Sequence, residues 1–235
     1  IKNPTARCRK KTCNNTAIYG SKTPLHCEAH KVSDDVDLVE RHCEKCGGLD
    51  VLLNGLCVNY CCFEEKALEI KKSGVNIKTL IMGNNDADDL KLAIKNGFSV
   101  TISSWDDIKN LENTPDSTNS LIHIKVDTGM GRIGFSPDDV EEVIQNIKND
   151  SLGTIEGIYS HLSSADDNED DFTLSQINQF SKYENNKNIQ FRHILNTPGI
   201  FKYYKNTNSN FVRPGISMYG ILLFDSPLKS ILKPV

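Results

Sequence analysis

The sequence lacks the features that would place the protein in a membrane or on nucleic acid. None of its apolar runs approaches the ~18 residues that a membrane-spanning helix needs, and the opening stretch, IKNPTARCRKK, is too polar for a secretory signal. The chain has no excess of positive charge either, because 27 Lys and Arg stand against 31 Asp and Glu, which leaves a net charge of -4. Phosphate backbones bind concentrated positive charge, so we expect no nucleic-acid partner. The sequence predicts a cytoplasmic protein.

Cysteine is missing from everything after residue 62, although the chain has eight cysteines. This change in composition predicts two domains, a small Cys/His-rich module at residues 1–62 and a larger domain at residues 63–235. The sequence also lacks an initiator Met and ends in an apolar stretch, LKSILKPV. Three origins stay open: a fragment of a longer protein, a natural fusion, or two reading frames joined during sequence assembly.

The first segment carries two groups of four soft ligands, which is the number that tetrahedral Zn²⁺ requires. The first group is Cys8, Cys13, Cys27 and His30; the second is Cys43, Cys46, Cys57 and Cys61, with Cys62 as the alternative fourth ligand. We predict a zinc-binding module, because metal would stabilise a segment that has few large apolar residues. The pattern resembles small modules in proteins of large DNA viruses. Disulfide bonds and plain hydrophobic packing are the alternatives.

The larger domain alternates short apolar runs with amphipathic stretches, which predicts parallel strands with crossover helices. The predicted strands are residues 79–83, 99–103, 121–126, 154–160, 191–196 and 216–222. The predicted helices are residues 63–73, 86–96, 104–112, 137–149, 172–185 and 198–205. Gly74 and Gly97 stand where left-handed C-caps are expected, and Ser136 stands as the N-cap of the fourth helix. The fold class is therefore α/β.

The stretch VDTGMGRIGF (126–135) spells the Gly-x-Gly-x-x-Gly pattern of dinucleotide-binding folds. In such folds a helix begins inside the pattern, and an acidic residue follows the next strand. Here the predicted helix begins after Gly134, and the next predicted strand ends in Ser160 and His161. The pattern therefore predicts a tight loop and no NAD or FAD site.

Four stretches resemble motifs of the alanine racemase family, and they occur in the family's order. They are KVDTGMGRIGF (125–135), GIYSHLSSAD (157–166), HILNTPG (193–199) and VRPGISMYG (212–220). The resemblance covers about residues 63–235 and implies a (β/α)8 barrel of the TIM type that uses pyridoxal 5'-phosphate (PLP). It also implies a small amino-acid substrate, most simply alanine, and a homodimer.

The resemblance implies a role for each matching residue. Arg213 would bind the PLP ring nitrogen, with His161 behind it, and Arg132 would lie near the ring oxygen and the substrate carboxylate, oriented by Lys125. The implied cofactor-binding residues are Asn196, Thr197, Arg213, Gly215 and Ile216, of which Thr197, Gly215 and Ile216 match the positions that hold the phosphate. Each of these residues also has a purely structural interpretation, such as a packed core histidine or a loop glycine.

The sequence departs from the family pattern at both expected catalytic bases. The family's PLP-bearing lysine stretch, Lys-Ala-Asn-Ala-Tyr-Gly, has no counterpart here, and the closest text, NTAIYG (15–20), lacks the lysine. The family's C-terminal domain, which supplies a catalytic tyrosine, has no counterpart either. Only about six of the eight barrel strands are predicted. We therefore expect an isomerase-like chain that is inactive or impaired as it stands, with a zinc-binding interaction module fused to a non-catalytic barrel as the alternative.

Overall fold

A computed structural model describes residues 8–10, 12–13, 19–20, 26–37, 41–42, 49–50, 52–53, 56–57, 63–83, 85–167 and 169–222. Contacts between residues divide the chain into two units, Ile1–Ile70 and Lys71–Val235. The boundary predicted at residue 62 stays a prediction.

Before residue 63, the described elements of the first unit are very short. Antiparallel pairs join Tyr19–Gly20 to Val36–Asp37, Arg41–His42 to Leu49–Asp50, and Leu52–Leu53 to Leu56–Cys57. A single 3-10 turn spans Glu28–His30. Beyond this turn the carboxylate of Asp35 accepts hydrogen bonds from His26 Nδ1 at 2.6 Å and from the Val32 amide at 3.0 Å. Side-chain hydrogen bonds therefore help to stabilise a segment that has little regular secondary structure.

The second unit contains a parallel sheet of five strands whose order in space follows their order in the chain. The strands are β1 (Leu80–Ile81), β2 (Ser99–Ile102), β3 (Leu121–Lys125), β4 (Thr154–Tyr159) and β5 (Phe191–His193). All four pairings are parallel. Every residue of β2 is buried, as expected for a parallel strand that is covered on both faces.

Helices precede and connect these strands. They are α1 (Phe63–Lys72), α2 (Ala87–Asn96), α3 (Trp105–Glu112), α4 (Val140–Asn149), α5 (Asp171–Glu184) and α6 (Thr197–Tyr203). Asp86 and Ser104 cap α2 and α3 by accepting a bond from the amide three residues on, and Gly97 ends α2 in the left-handed conformation with φ 69°. Local sequence signals thus fix where the crossover helices begin and end.

Apolar side chains from the sheet and the helices form one core. On α4 the spacing of Val140, Val143, Ile144 and Ile147 puts all of them on the buried face. Ile122, Ile124 and other strand residues are fully buried against such faces. Full burial of an isoleucine is worth roughly 1.5–3 kcal/mol, so this core stabilises the sheet whose strand ends carry the polar residues described below.

The predicted α/β class with a partial barrel is confirmed, but one predicted strand is wrong. Residues 216–222 do not form a strand, because Gly215–Tyr219 is a 3-10 helix that Gly220 ends in the left-handed conformation. Pro214, whose backbone is helical, cannot donate a ladder hydrogen bond. The apolar side chains of Met218 and Tyr219 are mostly exposed rather than buried. Apolar periodicity was therefore misleading at this position.

The fourth helix also begins later than predicted. Ser136 is not its N-cap, because residues 137–139 form a turn and α4 begins at Val140. The hydroxyl of Ser136 accepts a bond from the Asp138 amide at 3.3 Å, so Ser136 stabilises that turn instead. None of the helices in the described part of the chain has the length and apolarity needed to cross a membrane.

Candidate functional site

Lys125 is the last residue of β3 and lies almost fully buried at the carboxyl end of the sheet. Its Nζ donates to the Val126 carbonyl at 2.8 Å and lies 5.5 Å from the centre of the Tyr159 ring. Burial lowers the pKa of Lys125 to about 8, helped by the charges of Arg213 and Arg132 and opposed by Asp127. A lysine in this state can lose its proton near neutral pH.

The Arg213 guanidinium lies 5.3 Å from the centre of the same tyrosine ring, held by acceptors from neighbouring strand ends. Nη2 donates to the Ser160 carbonyl at 2.6 Å, and Nη1 donates to Nδ1 of His193. Burial lowers the pKa of Arg213 to about 10, yet the guanidinium forms no ion pair with a carboxylate of any described residue. None of those residues accepts from its Nε–H. The Nε–H group of Arg213 is therefore available to donate a hydrogen bond to a ligand.

His161 follows β4 and contacts the same guanidinium. Its Nδ1 lies 3.3 Å from Nη2 of Arg213, and its carbonyl accepts from Gln176 at 3.1 Å. Burial lowers the pKa of His161 to about 4, and the positive charge of Arg213 contributes in the same direction. The imidazole is neutral near pH 7, so it can accept a hydrogen bond from the arginine.

A row of buried polar side chains extends from Arg213 into the sheet. Arginine only donates, so Nδ1 of His193 must accept, and the proton of His193 lies on Nε2. That Nε2 lies 3.2 Å from Nδ1 of His123, whose Nε2 is 4.0 Å from Glu156 Oε2. Glu156 also pairs with Lys78. The row fixes one tautomer for each histidine.

A bulge in β4 makes this row possible. Between Ile155 and Gly157 the pairing with β3 shifts register, which places Glu156 at the irregularity. Gly157 lies against the His123 ring so closely that an added Cβ would be 2.2 Å from its Nδ1. Only glycine at position 157 leaves room for the His123 ring, so the row of buried polar side chains requires this glycine.

Hydroxyl and backbone groups gather beside Arg213, where α6 meets the 3-10 helix. Asn196 caps α6 by accepting from the Gly199 amide at 3.1 Å. The Thr197 hydroxyl donates to the Pro214 carbonyl and lies 3.4 Å from the Ser217 hydroxyl. Gly215 has φ 44°, a conformation that suits glycine, and Ile216 follows it within the 3-10 helix. The Ser217 hydroxyl donates to the same Pro214 carbonyl at 2.7 Å, so both hydroxyl protons are engaged within the protein.

The glycine loop binds an anion that belongs to the protein itself. The Gly129 amide donates to Asp127 Oδ1 at 2.9 Å, and the Gly131 amide contacts both carboxylate oxygens, at 3.1 and 2.9 Å. Burial raises the pKa of Asp127, but these amide bonds and Lys125 outweigh it, so the pKa is lowered overall. No helix begins in the loop, and Arg132 is exposed on it. The predicted loop is confirmed, and the absence of a dinucleotide site stays a prediction.

In the first unit the structure brings together the first predicted ligand group. The ligand atoms of Cys8, Cys13, Cys27 and His30 all lie within 4.8 Å of one another. The side chains of the second predicted group, Cys43, Cys46, Cys57, Cys61 and the alternative Cys62, lie outside the described residues.

Comparison with known proteins identifies the family. The family model described as "Alanine racemase, N-terminal domain" matches residues 52–222. The chain belongs to the alanine racemase family. It is 42% identical over 159 residues to the alanine racemase of Fusobacterium nucleatum, a match that covers 66% of this chain and 44% of that protein. The alanine racemase of Clostridium novyi is 32% identical over 188 residues, covering 74% and 48%.

Solved alanine racemases share the fold of the second unit. The enzyme of Clostridium difficile 630 superposes with a TM-score of 0.63 at 26% identity, covering 73% of this chain and 46% of that one. The enzyme of E. faecalis gives a TM-score of 0.62 at 27% identity, covering 77% and 49%. The chain thus spans about half the length of the alanine racemases that it matches.

PLP is the cofactor of the alanine racemase family, and the side chains around Arg213 fit such a group. The free Nε–H of Arg213 suits a ring nitrogen that accepts, whereas the hydroxyls of Thr197 and Ser217 both donate to the Pro214 carbonyl and would have to rotate to bind a phosphate. Most of the residues predicted from the sequence lie at or just beyond the strand ends: Lys125, His161, Asn196, Thr197, Arg213, Gly215 and Ile216. Arg132 lies on the glycine loop.

Sequence reasoning did not single out His193, Tyr159 or Asp127. His193 is stacked on Tyr159 with ring centres 4.8 Å apart, and it binds Arg213 directly. Both residues stand inside the quoted motifs and are the last residues of their strands, β5 and β4, where the site forms. Their position at the end of a buried parallel strand was the signal that could have identified them.

Proposed function

We propose that the second unit binds PLP and that the chain is part of a PLP-dependent racemase that interconverts L- and D-alanine. The observation that carries this proposal is the guanidinium of the half-buried Arg213, which has no carboxylate partner among the described residues and a free Nε–H. Family membership supports the choice of cofactor and reaction. By the same family argument we propose a homodimer.

Arg213 would bind the ring nitrogen of PLP as a hydrogen-bond donor. Its pKa of about 10, lowered by burial, still leaves it protonated at neutral pH, so it does not transfer a full proton to the ring. His161 and His193 would keep the guanidinium in place, because both present a neutral acceptor to it. Thr197 and the backbone amides of Gly215 and Ile216 would hold the phosphate.

When bound, PLP delocalises the electron pair that remains on the substrate Cα after its proton leaves. Arg132, which is exposed on the glycine loop, would bind the substrate carboxylate. Lys125, at the end of β3, would orient Arg132. Racemisation also needs a proton acceptor on one face of the Cα and a donor on the other. Because these residues do not match either of the family's two bases, we propose that the 235 residues alone have little or no turnover.

The first experiment measures PLP binding by absorbance titration of the purified chain and of Arg213→Met. A hydrogen bond to a charged group contributes about 1.5–3 kcal/mol, so we expect the substitution to weaken binding by roughly 10- to 150-fold. The matched control is Arg192→Met, because Arg192 lies on β5 and donates to the carbonyls of Ile189 and Asn186 instead. Equal PLP affinity for Arg213→Met and the parent would refute the assignment of the cofactor site.

The second experiment tests turnover. The chain is incubated with PLP and L-alanine, and D-alanine is measured with a coupled D-amino-acid oxidase assay. Borohydride reduction followed by mass spectrometry then reports whether any lysine carries a pyridoxyl group. We expect PLP binding without a reduced lysine adduct and without D-alanine. Formation of D-alanine would overturn the proposed inactivity while leaving the racemase assignment intact.

A second candidate function is that of a binding protein, in which a zinc-binding Cys/His module is joined to a barrel that serves as scaffold. The observation that favours it is the ligand cluster of Cys8, Cys13, Cys27 and His30. Absence of PLP binding together with stoichiometric zinc would support this function over the racemase.

A further inference from the structure

We propose that the first unit contains a structural zinc site in which Cys8, Cys13, Cys27 and His30 are the four ligands. The four ligand atoms form a compact group, all within 4.8 Å of one another. The Sγ atoms of Cys13 and Cys27 are 3.7 Å apart, so no disulfide joins these two ligands. The proposal concerns the other unit of the chain and does not depend on PLP binding.

Three of the six distances between the ligand atoms lie close to the edges of a zinc tetrahedron, and all six are within 4.8 Å. With Zn–S bonds of ~2.3 Å and Zn–N bonds of ~2.0–2.1 Å, tetrahedral geometry separates two sulfurs by ~3.8 Å and a sulfur from a nitrogen by ~3.6 Å. The Sγ atoms of Cys13 and Cys27 are 3.7 Å apart. Nδ1 of His30 lies 3.5 Å from Sγ of Cys8 and 3.2 Å from Sγ of Cys27. A disulfide would need sulfurs ~2.05 Å apart, which this geometry excludes.

Two short turns bring the ligands together. The His30 amide donates to the Cys27 carbonyl at 2.9 Å, and this 3-10 turn places their side chains next to each other. The Cys13 amide donates to the Lys10 carbonyl at 2.9 Å, which folds the other ligand segment back. Tight turns between paired ligands are typical of structural zinc sites.

Burial in this segment is concentrated on the cluster. Cys8 and Cys27 are only 6% and 4% exposed, whereas their neighbours Arg9 and Lys10 and the apolar Val32 are exposed. The described part of this segment therefore buries its metal-ligating groups and not a set of large apolar side chains. A bound ion would supply the stabilisation that an apolar core supplies in the other unit.

The ligand set selects both the metal and its role. Three thiolates and one imidazole in tetrahedral positions suit Zn²⁺ better than the hard cations Mg²⁺ and Ca²⁺, which prefer oxygen. All four positions are filled by protein, so no coordination site is left open for a substrate. The zinc would hold the fold of the first unit and would take no part in catalysis.

The test uses the full chain with Cys43→Ser and Cys46→Ser, which removes the second predicted ligand group. After dialysis under reducing conditions, elemental analysis should find about one zinc per chain. Zinc-edge X-ray absorption should show three sulfurs at ~2.3 Å and one nitrogen at ~2.0–2.1 Å. A further His30→Ala substitution should reduce the zinc content from about one to near zero.

The control is His26→Ala in the same background, because His26 lies close in sequence but bonds to Asp35 and not to the cluster. It should retain the zinc. Fluorescence of Trp105, the single tryptophan, reports that the barrel is still folded in every variant. A metal-free chain, a different ligand set in the absorption spectrum, or unchanged zinc after His30→Ala would each overturn the proposal.

Discussion

The buried histidines of the second unit should make the protein unstable in mild acid. Burial lowers the pKa of His123 to about 4, and burial with the charge of Arg213 lowers the pKa of His193 to about 2, whereas an unfolded histidine has a pKa near 6.5. Between these values the unfolded chain binds more protons than the folded one. Stability is therefore fully present above pH 6.5 and is lost as the pH falls towards the folded values.

The magnitude follows from the separation of the pKa values. One pKa unit corresponds to about 1.4 kcal/mol. At pH 5 each of the two buried histidines, His123 and His193, therefore lowers the free energy of unfolding by roughly 2 kcal/mol, and the pair lowers it by about 4 kcal/mol. His161, whose pKa burial also lowers to about 4, adds a smaller share because its side chain is partly exposed. A loss of this size is a large fraction of the stability of an ordinary domain.

The assay is urea unfolding at several pH values between 5 and 6.5, followed by Trp105 fluorescence. In His193→Gln one titrating group is gone, so the slope of unfolding free energy against pH should fall by up to about 1.4 kcal/mol per unit. The control, His26→Gln, replaces a histidine of the first unit, whereas Trp105 reports unfolding of the second unit, so this slope should stay unchanged. If His193→Gln kept the slope of the parent protein, the reasoning from buried neutral histidines would be refuted.

Three further substitutions test the packing of the strand ends. Gly157→Ala puts a Cβ 2.2 Å from Nδ1 of His123, so urea unfolding should show a loss of about 1–3 kcal/mol, and a fully stable variant would contradict the tight fit. Asp127→Asn removes the charge that the loop amides bind, so we expect a loss of about 1–2 kcal/mol and faster hydrogen exchange at these amides; unchanged exchange would argue against the internal anion. Tyr159→Phe removes the 3.0 Å hydrogen bond to Thr101 and should cost about 1 kcal/mol in thermal or urea unfolding; a stabilised variant would show that this bond is not needed.

The elements that the sequence predicted correctly are those fixed by local signals. Five buried apolar runs became strands, and Gly97 ended its helix in the left-handed conformation. The sixth run failed because Pro214 and Gly215 impose a 3-10 turn that apolar periodicity does not reveal. The bulge at Glu156 has no local signature either, since it depends on pairing with a neighbouring strand.

The candidate site was predicted in part for the same reason. Arg213, His161 and Lys125 stand in motifs at or next to predicted strands, and the structure brings all three close to the Tyr159 ring or to each other. His193 was missed because its importance comes from a contact between residues far apart in sequence, the bond to Arg213. Roles that arise from such long-range contacts cannot be obtained from spacing alone.

The Asp127 carboxylate inside the glycine loop has a practical consequence for pattern searches. A loop whose amides already bind an internal carboxylate repels a phosphate. Two loops with the same Gly-x-Gly-x-x-Gly pattern can therefore differ in whether they bind a phosphate. In this chain the carboxylate comes from the aspartate two residues before the first glycine, as in DTGMG. Adding that single position to a search for nucleotide-binding loops would remove sequences of this kind, and replacing the aspartate would be the first step in engineering the loop to accept a phosphate.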